Sequence, residues 1–527
     1  LEFKSLTILK PDQIKSFGLL LIIILIAAVL RILFLDQAPN TFSTDEVSNG
    51  YDAYSIFQTG RDRYGHFLPI LLTGFNDSRE SLYVFFNIPL IQLFGLNEFS
   101  VRLPSAIAGV LTVPVLYYLA QECFNNKKIS LTAALLFAFS PWSIFYSRLT
   151  FHANLLPLFF CLSLLFFLKS FRQPNYLLLS SFLFSLSLYT YASARAFIPL
   201  FMLGLTIIFW KRLWEIKTQT FIAIAIFLPI FLFFLSLWLA PGGMARLEET
   251  GIETNIFMLL VNYISHFEPV FLFIHGDWNE RRSVTTWGVG QLHLFELVTV
   301  IIGVLALKKK TDRISKILFL WLFLYPIPAA LTEPQHAIRA IVGIPVFSLF
   351  SAYGLWQIPS LLNTNQRKIF KFIAPLIITI SFIFSLKAYF NFSQYKIPNT
   401  SAEHWQYGMK EALTYAENSN YSCVLMSNTF KRVNMYIIFY TKYPPAQYQL
   451  SPADPEAKYF TEDYTLGKYT ITDIAQPKNF SGKCLFIINP EELEKLSQIY
   501  PVWQELKSIK TPEPDNKEKI KLIEVGT

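Results

Sequence analysis

Charge is scarce in this sequence. Of its 527 residues only 16% are Asp, Glu, Lys or Arg, against roughly 25% in an ordinary soluble chain. Cysteine is scarcer still, at four residues, too few for a disulfide-stapled secreted module. No C-x2-C pair or H-E-x-x-H run offers a metal-ligand spacing. A phosphate-binding loop and a dinucleotide fingerprint are also missing. What the sequence has instead is apolar bulk. Hydrophobic residues make up 53%, and Phe alone occupies 51 positions. That balance excludes a soluble multidomain enzyme and a disordered chain, and it describes an integral membrane protein.

Runs of roughly 17–22 mostly apolar residues are expected to cross the hydrocarbon core as helices. About eleven occur, near 17–35, 101–120, 129–147, 152–169, 175–191, 195–210, 221–240, 291–307, 314–331, 338–357 and 369–388. A shorter run at 82–95 reads as interfacial. Basic clusters fall in every second loop: Lys4/Lys10/Lys15, Lys127/Lys128, Lys169/Arg172, Lys211/Arg212/Lys217, Lys308–Lys310 with Arg313 and Lys316, and Arg367/Lys368/Lys371. By the positive-inside rule they mark the cytoplasmic side and put the N-terminus inside. The expected location is the cytoplasmic (inner) membrane, with multiple passes. A membrane domain at 1–390 would present two larger outer loops, 36–100 with interfacial helices and 241–290. Residues 391–527 form a separate extracytoplasmic stretch of ordinary composition. Its pattern is a helix near 402–417, a strand 422–427, a helix 433–442, a strand 483–489, a helix 490–498 and a strand-like 503–509. That is a small α/β domain, with an irregular Tyr/Pro-rich stretch at 443–480. Cys423 and Cys484 each lie near the start of one of its strands. They either pair, in an oxidising compartment, or stay as two buried thiols.

The formal charge of +8 is divided unevenly. Among the basic residues of 1–390, the cytoplasmic clusters are mostly Lys. Outside them stand Arg31, Arg61, Arg63, Arg79, Arg102, Arg148, Arg195, Arg246, Arg281, Arg282 and Arg339, with Lys387 as the one lysine. Topogenic charge needs no special geometry, whereas a guanidinium suits phosphate. The bias points to an anionic ligand on the outer side; the plainer reading is that Arg snorkels and pairs well at interfaces. Carboxylates there are few. Asp45-Glu46 follows the first span, with Asp45 either a reactive group or the N-cap of an interfacial helix. Others are Asp77 and Glu80, Glu333, and the loop His275-Gly276-Asp277-Trp278-Asn279-Glu280-Arg281-Arg282. That loop suits sugar stacking and hydroxyl bonding, and equally a membrane-interface loop.

The run Leu93-Phe94-Gly95-Leu96-Asn97-Glu98-Phe99-Ser100-Val101-Arg102-Leu103-Pro104-Ser105-Ala106 resembles a hallmark of the bacterial protein-mannosyltransferase-like family (glycosyltransferase family 39 type). That family includes the lipid A aminoarabinose transferases. Its acidic pair after the first span is matched by Asp45-Glu46. Its Lys-Pro-Pro-Leu-Tyr block falls on Arg79-Glu80-Ser81-Leu82-Tyr83, so the Lys is replaced and both prolines are lost. Ser140-Pro141 and Tyr146-Ser147-Arg148 also match in style. Where the family often carries a further acidic residue, this chain has His152 and Asn154.

The resemblance implies a mainly α membrane protein, a multispanning GT-C helical bundle with the small C-terminal α/β domain. It implies a glycosyltransferase that moves a sugar from a polyprenyl-phosphate donor on the outer membrane face to a glycan, lipid or protein acceptor. Membrane lipids are the other partners, and nucleic acid is not one. Asp45 is the expected base, with Glu46 beside it. Arg79, Arg148, Arg195 and Arg339 are expected on the donor phosphate. Candidate substrate contacts are Asp77, Glu80, Tyr83, His152, Asn154, Tyr191, His275, Asp277, Trp278 and His336. The scheme requires no cofactor and leaves room for a divalent metal. The competing readings are a lipid-linked sugar carrier or flippase, a pyrophosphate-donor oligosaccharide ligase, and a non-catalytic scaffold.

Overall fold

The computed structural model describes residues 11–75, 78–240, 251–400, 405–454, 457–478, 480 and 482–526. Asp77, Arg246, Lys4 and Lys10 lie outside the described residues, as do 402–404 of the expected helix 402–417.

The first apolar helix, α1 (Pro11–Ile32), leads to α2 (Thr44–Thr59). Ser43 caps α2 and forms a reciprocal box with Glu46, and Gly60 ends it at φ +71°. A short antiparallel hairpin follows, β1 (Leu71–Thr73) with β2 (Ser78–Glu80). Next come α3 (Leu82–Phe94), α4 (Glu98–Phe124), α5 (Lys127–Phe139) and α6 (Pro141–Ser147). Helices α5 and α6 meet at a 54° bend, because Pro141 starts a helix but cannot continue one. The bundle goes on through α7 (Leu155–Lys169), α8 (Tyr176–Leu188), α9 (Ala194–Glu215) and α10 (Lys217–Leu239). Helices at Ile256–Ser265, Glu296–Lys308, Arg313–Leu324, Gly343–Gln357 and Thr364–Asn391 complete it.

Eight described helices are long and apolar enough to cross a membrane, or nine with the bent pair as one span. The expectation of about eleven differs for a definable reason. Three of the expected spans are helices of only 13, 13 and 15 residues, too short alone to traverse roughly 30 Å of hydrocarbon. Within the stretch expected as a plain outer loop, 241–290, Ile256–Ile274 is instead an apolar helical segment that passes the same test. Its exposed Ile256, Phe257, Leu260 and Ile264 form one helix face.

The C-terminal region carries a six-stranded mixed sheet in the order β4-β5-β3-β6-β8-β7. These strands are β3 (Val424–Ser427), β4 (Tyr464–Leu466), β5 (Tyr469–Thr472), β6 (Lys483–Ile488), β7 (Trp503–Lys510) and β8 (Glu518–Gly526). Strand β3 is parallel to both β5 and β6; the other pairs are antiparallel. The stretch 443–480 is more regular than expected, since it holds the β4–β5 hairpin and a short helix, Pro445–Tyr448. Strand β8 had no sequence expectation at all. Cys423 and Cys484 form a disulfide with Cα atoms 4.8 Å apart, joining the edge of β3 to β6.

This sheet region is not a free appendage. Its helix Val433–Tyr440 lies on α2, and the two share a core with Val101 and Val47. Tyr436 Oη donates to the Phe42 carbonyl at 2.9 Å, and Tyr51 Oη donates to the Tyr443 carbonyl at 2.8 Å. At Gly50, a Cβ would sit 2.6 Å from Val101 and 2.7 Å from Phe439. Only glycine lets α2 be gripped from both sides there.

Candidate active site

Helix α2 sets the geometry. Its capping box uses Ser43 and Glu46, which leaves Asp45 in the first turn with its side chain half exposed. Asp45 is therefore not the N-cap. Ser48 and Asn49 follow at i+3 and i+4 and share its face. Arg79, delivered by β2, docks on that face. It donates to Ser48 Oγ at 2.7 Å and to Asn49 Oδ1 at 3.2 Å, and it stands 3.9 Å from the Asp45 carboxylate. Below it, Arg63 is fully buried, 2.5 Å from Asp52, and shares the Ser48 hydroxyl.

These groups open into a cavity of about 410 Å³. Asp45, Asn49, Ser78, Arg79 and Glu80 form one wall. Thr150, Phe151 and His152 form the next, from the turn between α6 and α7. Tyr191, Ser193 and Arg195 enter from the start of α9, and Thr332 and Arg339 from the opposite side. The remaining surface is apolar: Phe231, Leu235, Trp238 and Leu239 of α10, with Pro328, Leu331 and Ile338. Arg195 donates to Glu80 at 2.7 Å and lies 4.9 Å from the Trp238 ring centroid. Arg339 is hydrogen-bonded to Thr332 and lies 3.8 Å from Glu333. Three guanidinium groups and one partly exposed carboxylate thus line the same cavity, beside an oily wall. That arrangement is suited to an anionic headgroup on a long apolar chain. His152 is 8% exposed and stacks on Tyr83 at 5.2 Å, and its buried Nε2 has no hydrogen-bond partner among the described residues.

Residues 83–238 match the family described as dolichyl-phosphate-mannose-protein mannosyltransferase. Across the whole chain the fold matches the crystal structure of ArnT from Cupriavidus metallidurans in the apo state. The TM-score is 0.59 at 12% identity, covering 97% of this chain and 98% of that one. The same protein bound to undecaprenyl phosphate matches at TM-score 0.58 and 12% identity, over 96% and 98%. The oligosaccharyltransferase of Archaeoglobus fulgidus in its apo form matches at 0.51 and 15% identity, over 85% of this chain and 62% of that one. No curated protein sequence matches.

The chain has the GT-C glycosyltransferase fold. The family resemblance read from Leu93–Ala106 and the multispanning architecture are thereby borne out.

Against this GT-C frame the expected site residues sort clearly. Asp45, Arg79, Glu80, His152, Tyr191, Arg195 and Arg339 come together on one cavity. Glu46 does not. It is 2% exposed, and its carboxylate accepts from Arg102 Nε at 2.8 Å, from the Thr150 amide at 3.1 Å and from the Ser43 amide at 3.0 Å. It fastens α2 to α4 and to the α6–α7 turn. Arg148 is also displaced from its expected role. Its guanidinium donates to the carbonyls of Leu30, Leu33, Phe34 and Ala38, all at 3.1 Å or less. Those carbonyls belong to the end of α1 and the turn beyond it, where backbone acceptors lack intrahelical partners. Tyr83 is fully buried with its hydroxyl on the Val101 carbonyl, and Asn154 is held by Ser105; neither reaches the cavity.

The loop residues His275, Asp277, Trp278 and His336 form a neighbouring network rather than the cavity wall. His275 stacks on exposed Trp278 at 4.0 Å. Asp277 is 3% exposed and accepts from the Ala337 amide. Burial raises its carboxyl to about 6, against the downward pull of that amide, the Asn279 amide and Arg282. Arg282 donates to Glu333 at 3.0 Å, and Glu333 also faces His336 at 3.4 Å and Arg339. The network therefore meets the cavity at Arg339.

Sequence reasoning missed Asn49, Ser78, Ser193, Thr332 and Trp238 on the cavity wall. The α2 face was recoverable, since Asp45, Ser48 and Asn49 have helical spacing. The others come from separate segments, and no local signal joins them. Part of the Arg bias has a structural cause. Arg31, Arg63, Arg102 and Arg148 are all fully buried and clasp carbonyls or carboxylates, which the five-donor guanidinium does better than an ammonium. Among the described residues no group of three or more His, Cys, Asp or Glu side chains is placed to hold a metal.

Proposed function

We propose that the protein transfers a single sugar from a polyprenyl-phosphate donor to an acceptor hydroxyl, at the extracytoplasmic face of the cytoplasmic membrane, with inversion of the anomeric centre. The observation that carries this is the one cavity lined by Asp45, by Arg79 at 3.9 Å from it, and by Arg195 and Arg339. In this reading the donor phosphate lies among the three Arg, and its tail runs along the apolar α10 wall. The acceptor hydroxyl approaches from the Asp45 side. Asp45 takes its proton as the new C–O bond forms. The old bond to the phosphate breaks on the opposite face, and the leaving phosphate keeps the electron pair. Its growing charge is met by guanidinium groups already in place. One carboxylate suffices because the phosphate leaves without protonation.

The bound forms of two similar folds support the donor class: ArnT with undecaprenyl phosphate, and the Archaeoglobus oligosaccharyltransferase AglB with a dolichol-phosphate. The Cys423–Cys484 disulfide supports an oxidising location for the C-terminal domain. The cavity also lies at the end of the bundle opposite the Lys-rich loops.

The test is direct. Purified protein in detergent is given radiolabelled polyprenyl-monophosphate sugars and membrane extract, and label should move to an acceptor. Transfer only from pyrophosphate-linked glycans would replace this reading with an oligosaccharide ligase. Binding without transfer from either donor would replace it with a carrier.

A further inference from the structure

Arg79 sits on a small hairpin whose base and tip are held by different parts of the chain. At the base, Ser81 Oγ donates to the Pro69 carbonyl at 2.6 Å and Tyr189 Oη donates to the Ile70 carbonyl at 2.8 Å. Arg63 Nη2 donates to the Thr73 carbonyl at 3.0 Å. Just beyond β1, the ring of Phe75 collects three guanidinium groups. Those of Arg63 and Arg79 lie 5.6 and 5.8 Å from its centroid, and that of Arg432 only 3.8 Å. Arg432 belongs to the C-terminal domain. Its backbone is left-handed at φ +51°, a conformation that L residues rarely adopt, and its amide donates to the Lys458 carbonyl at 2.9 Å. The turn before helix Val433–Tyr440 is thus built to lay this side chain over the ring.

We propose that Arg432 is a positioning residue for Arg79, acting from the C-terminal domain through the ring of Phe75. A cation over an aromatic face is held by the ring quadrupole. With Arg432 seated, Phe75 is fixed, and β1 and β2 are held against α2. Arg79 then keeps its two bonds to Ser48 and Asn49 and its place beside Asp45. The C-terminal domain thereby helps to position the phosphate site. The proposal rests on the reading that Arg79 meets the donor phosphate.

The experiment measures affinity for polyprenyl monophosphate alone, in detergent, with full-length protein. Arg432→Ala and Phe75→Ala should each weaken binding by about three- to thirty-fold, the span of cation–π contacts from exposed to desolvated. The double variant should bind no more weakly than Phe75→Ala, because both act on one linkage. Arg432→Lys and Phe75→Trp should recover part of the loss. Phe75→Leu keeps apolar volume but drops the quadrupole, so it serves if Phe75→Ala does not fold. Arg79→Ala separates the two readings. If it binds like wild type, the phosphate assignment fails. If it binds weakly while Arg432→Ala and Phe75→Leu match wild type, the positioning role is refuted. Losses that multiply in the double variant refute it as well.

Discussion

Replacing Asp45 with Asn removes one proton acceptor and one negative charge at nearly constant shape. The side chain is half exposed and takes no part in the Ser43–Glu46 capping box. Loss of a negative charge in the first helical turn should cost about 0.3–1 kcal/mol of stability. The nearby Arg79 loses a counter-charge at 3.9 Å, so the field on a bound phosphate becomes more positive and donor affinity should hold or rise. The chemical step should suffer. Loss of a positioned general base typically lowers the rate by about 10²–10⁴, or roughly 3–5 kcal/mol in the barrier. The expected pattern is therefore a fall in kcat with KM for the donor unchanged or lower. Glu46→Gln should behave oppositely. It leaves Arg102 buried without its carboxylate partner, a change of about 3–5 kcal/mol in stability, and it should lower the melting temperature before it alters chemistry. The assay is transfer of radiolabelled sugar from the polyprenyl-phosphate donor, with melting followed by circular dichroism. An Asp45→Asn enzyme within tenfold of wild-type kcat would refute the base assignment.

Arg195→Ala should weaken donor binding about 10- to 100-fold through loss of a charge-assisted contact, whereas unchanged affinity would remove Arg195 from the phosphate site. Arg148→Ala strips the donor from four carbonyls at the end of α1. It should lose about 3 kcal/mol or more of stability with donor affinity intact; a selective binding defect would contradict its structural role. Asp277 has its carboxyl raised to about 6 in the fold, so the stability tied to its protonated form is full at low pH and is lost as pH rises through 6. Asp277→Asn should be more stable than wild type at pH 8, by on the order of 3 kcal/mol. That advantage should shrink towards pH 4.5, and a pH-independent difference in melting temperature would argue against it. Gly50→Ala forces a methyl against Val101 and Phe439. It should destabilise the α2–C-terminal contact by about 1–3 kcal/mol, measured as a lower melting temperature, with no change expected if that contact is loose.

The sequence by itself determined that this is a multi-pass membrane protein and which family it resembles, and it raised an expected orientation. Those are local properties. A window of apolar residues reads as a membrane helix whatever lies beside it, Lys clusters in alternate loops give an orientation, and Leu93–Ala106 with Asp45-Glu46 gives a resemblance. Helix ends were less legible: the cap of α2 is Ser43 rather than Asp45, and Pro141 breaks the single span expected at 129–147. What only the tertiary structure decided is which of these Arg lines the cavity. Arg148 and Arg195 sit in similar contexts at helix ends, yet one is consumed by four carbonyls of α1 and the other meets Glu80 on a cavity wall. Asp45 and Glu46 are adjacent in sequence, but the helix turns them about 100° apart, one towards the cavity and one into a buried clasp with Arg102. The link from Arg432 to Arg79 spans more than 350 positions. It exists only because helix Val433–Tyr440 packs on α2. Periodicity within a segment cannot encode a meeting between segments, and the chemistry of this site is made almost entirely of such meetings.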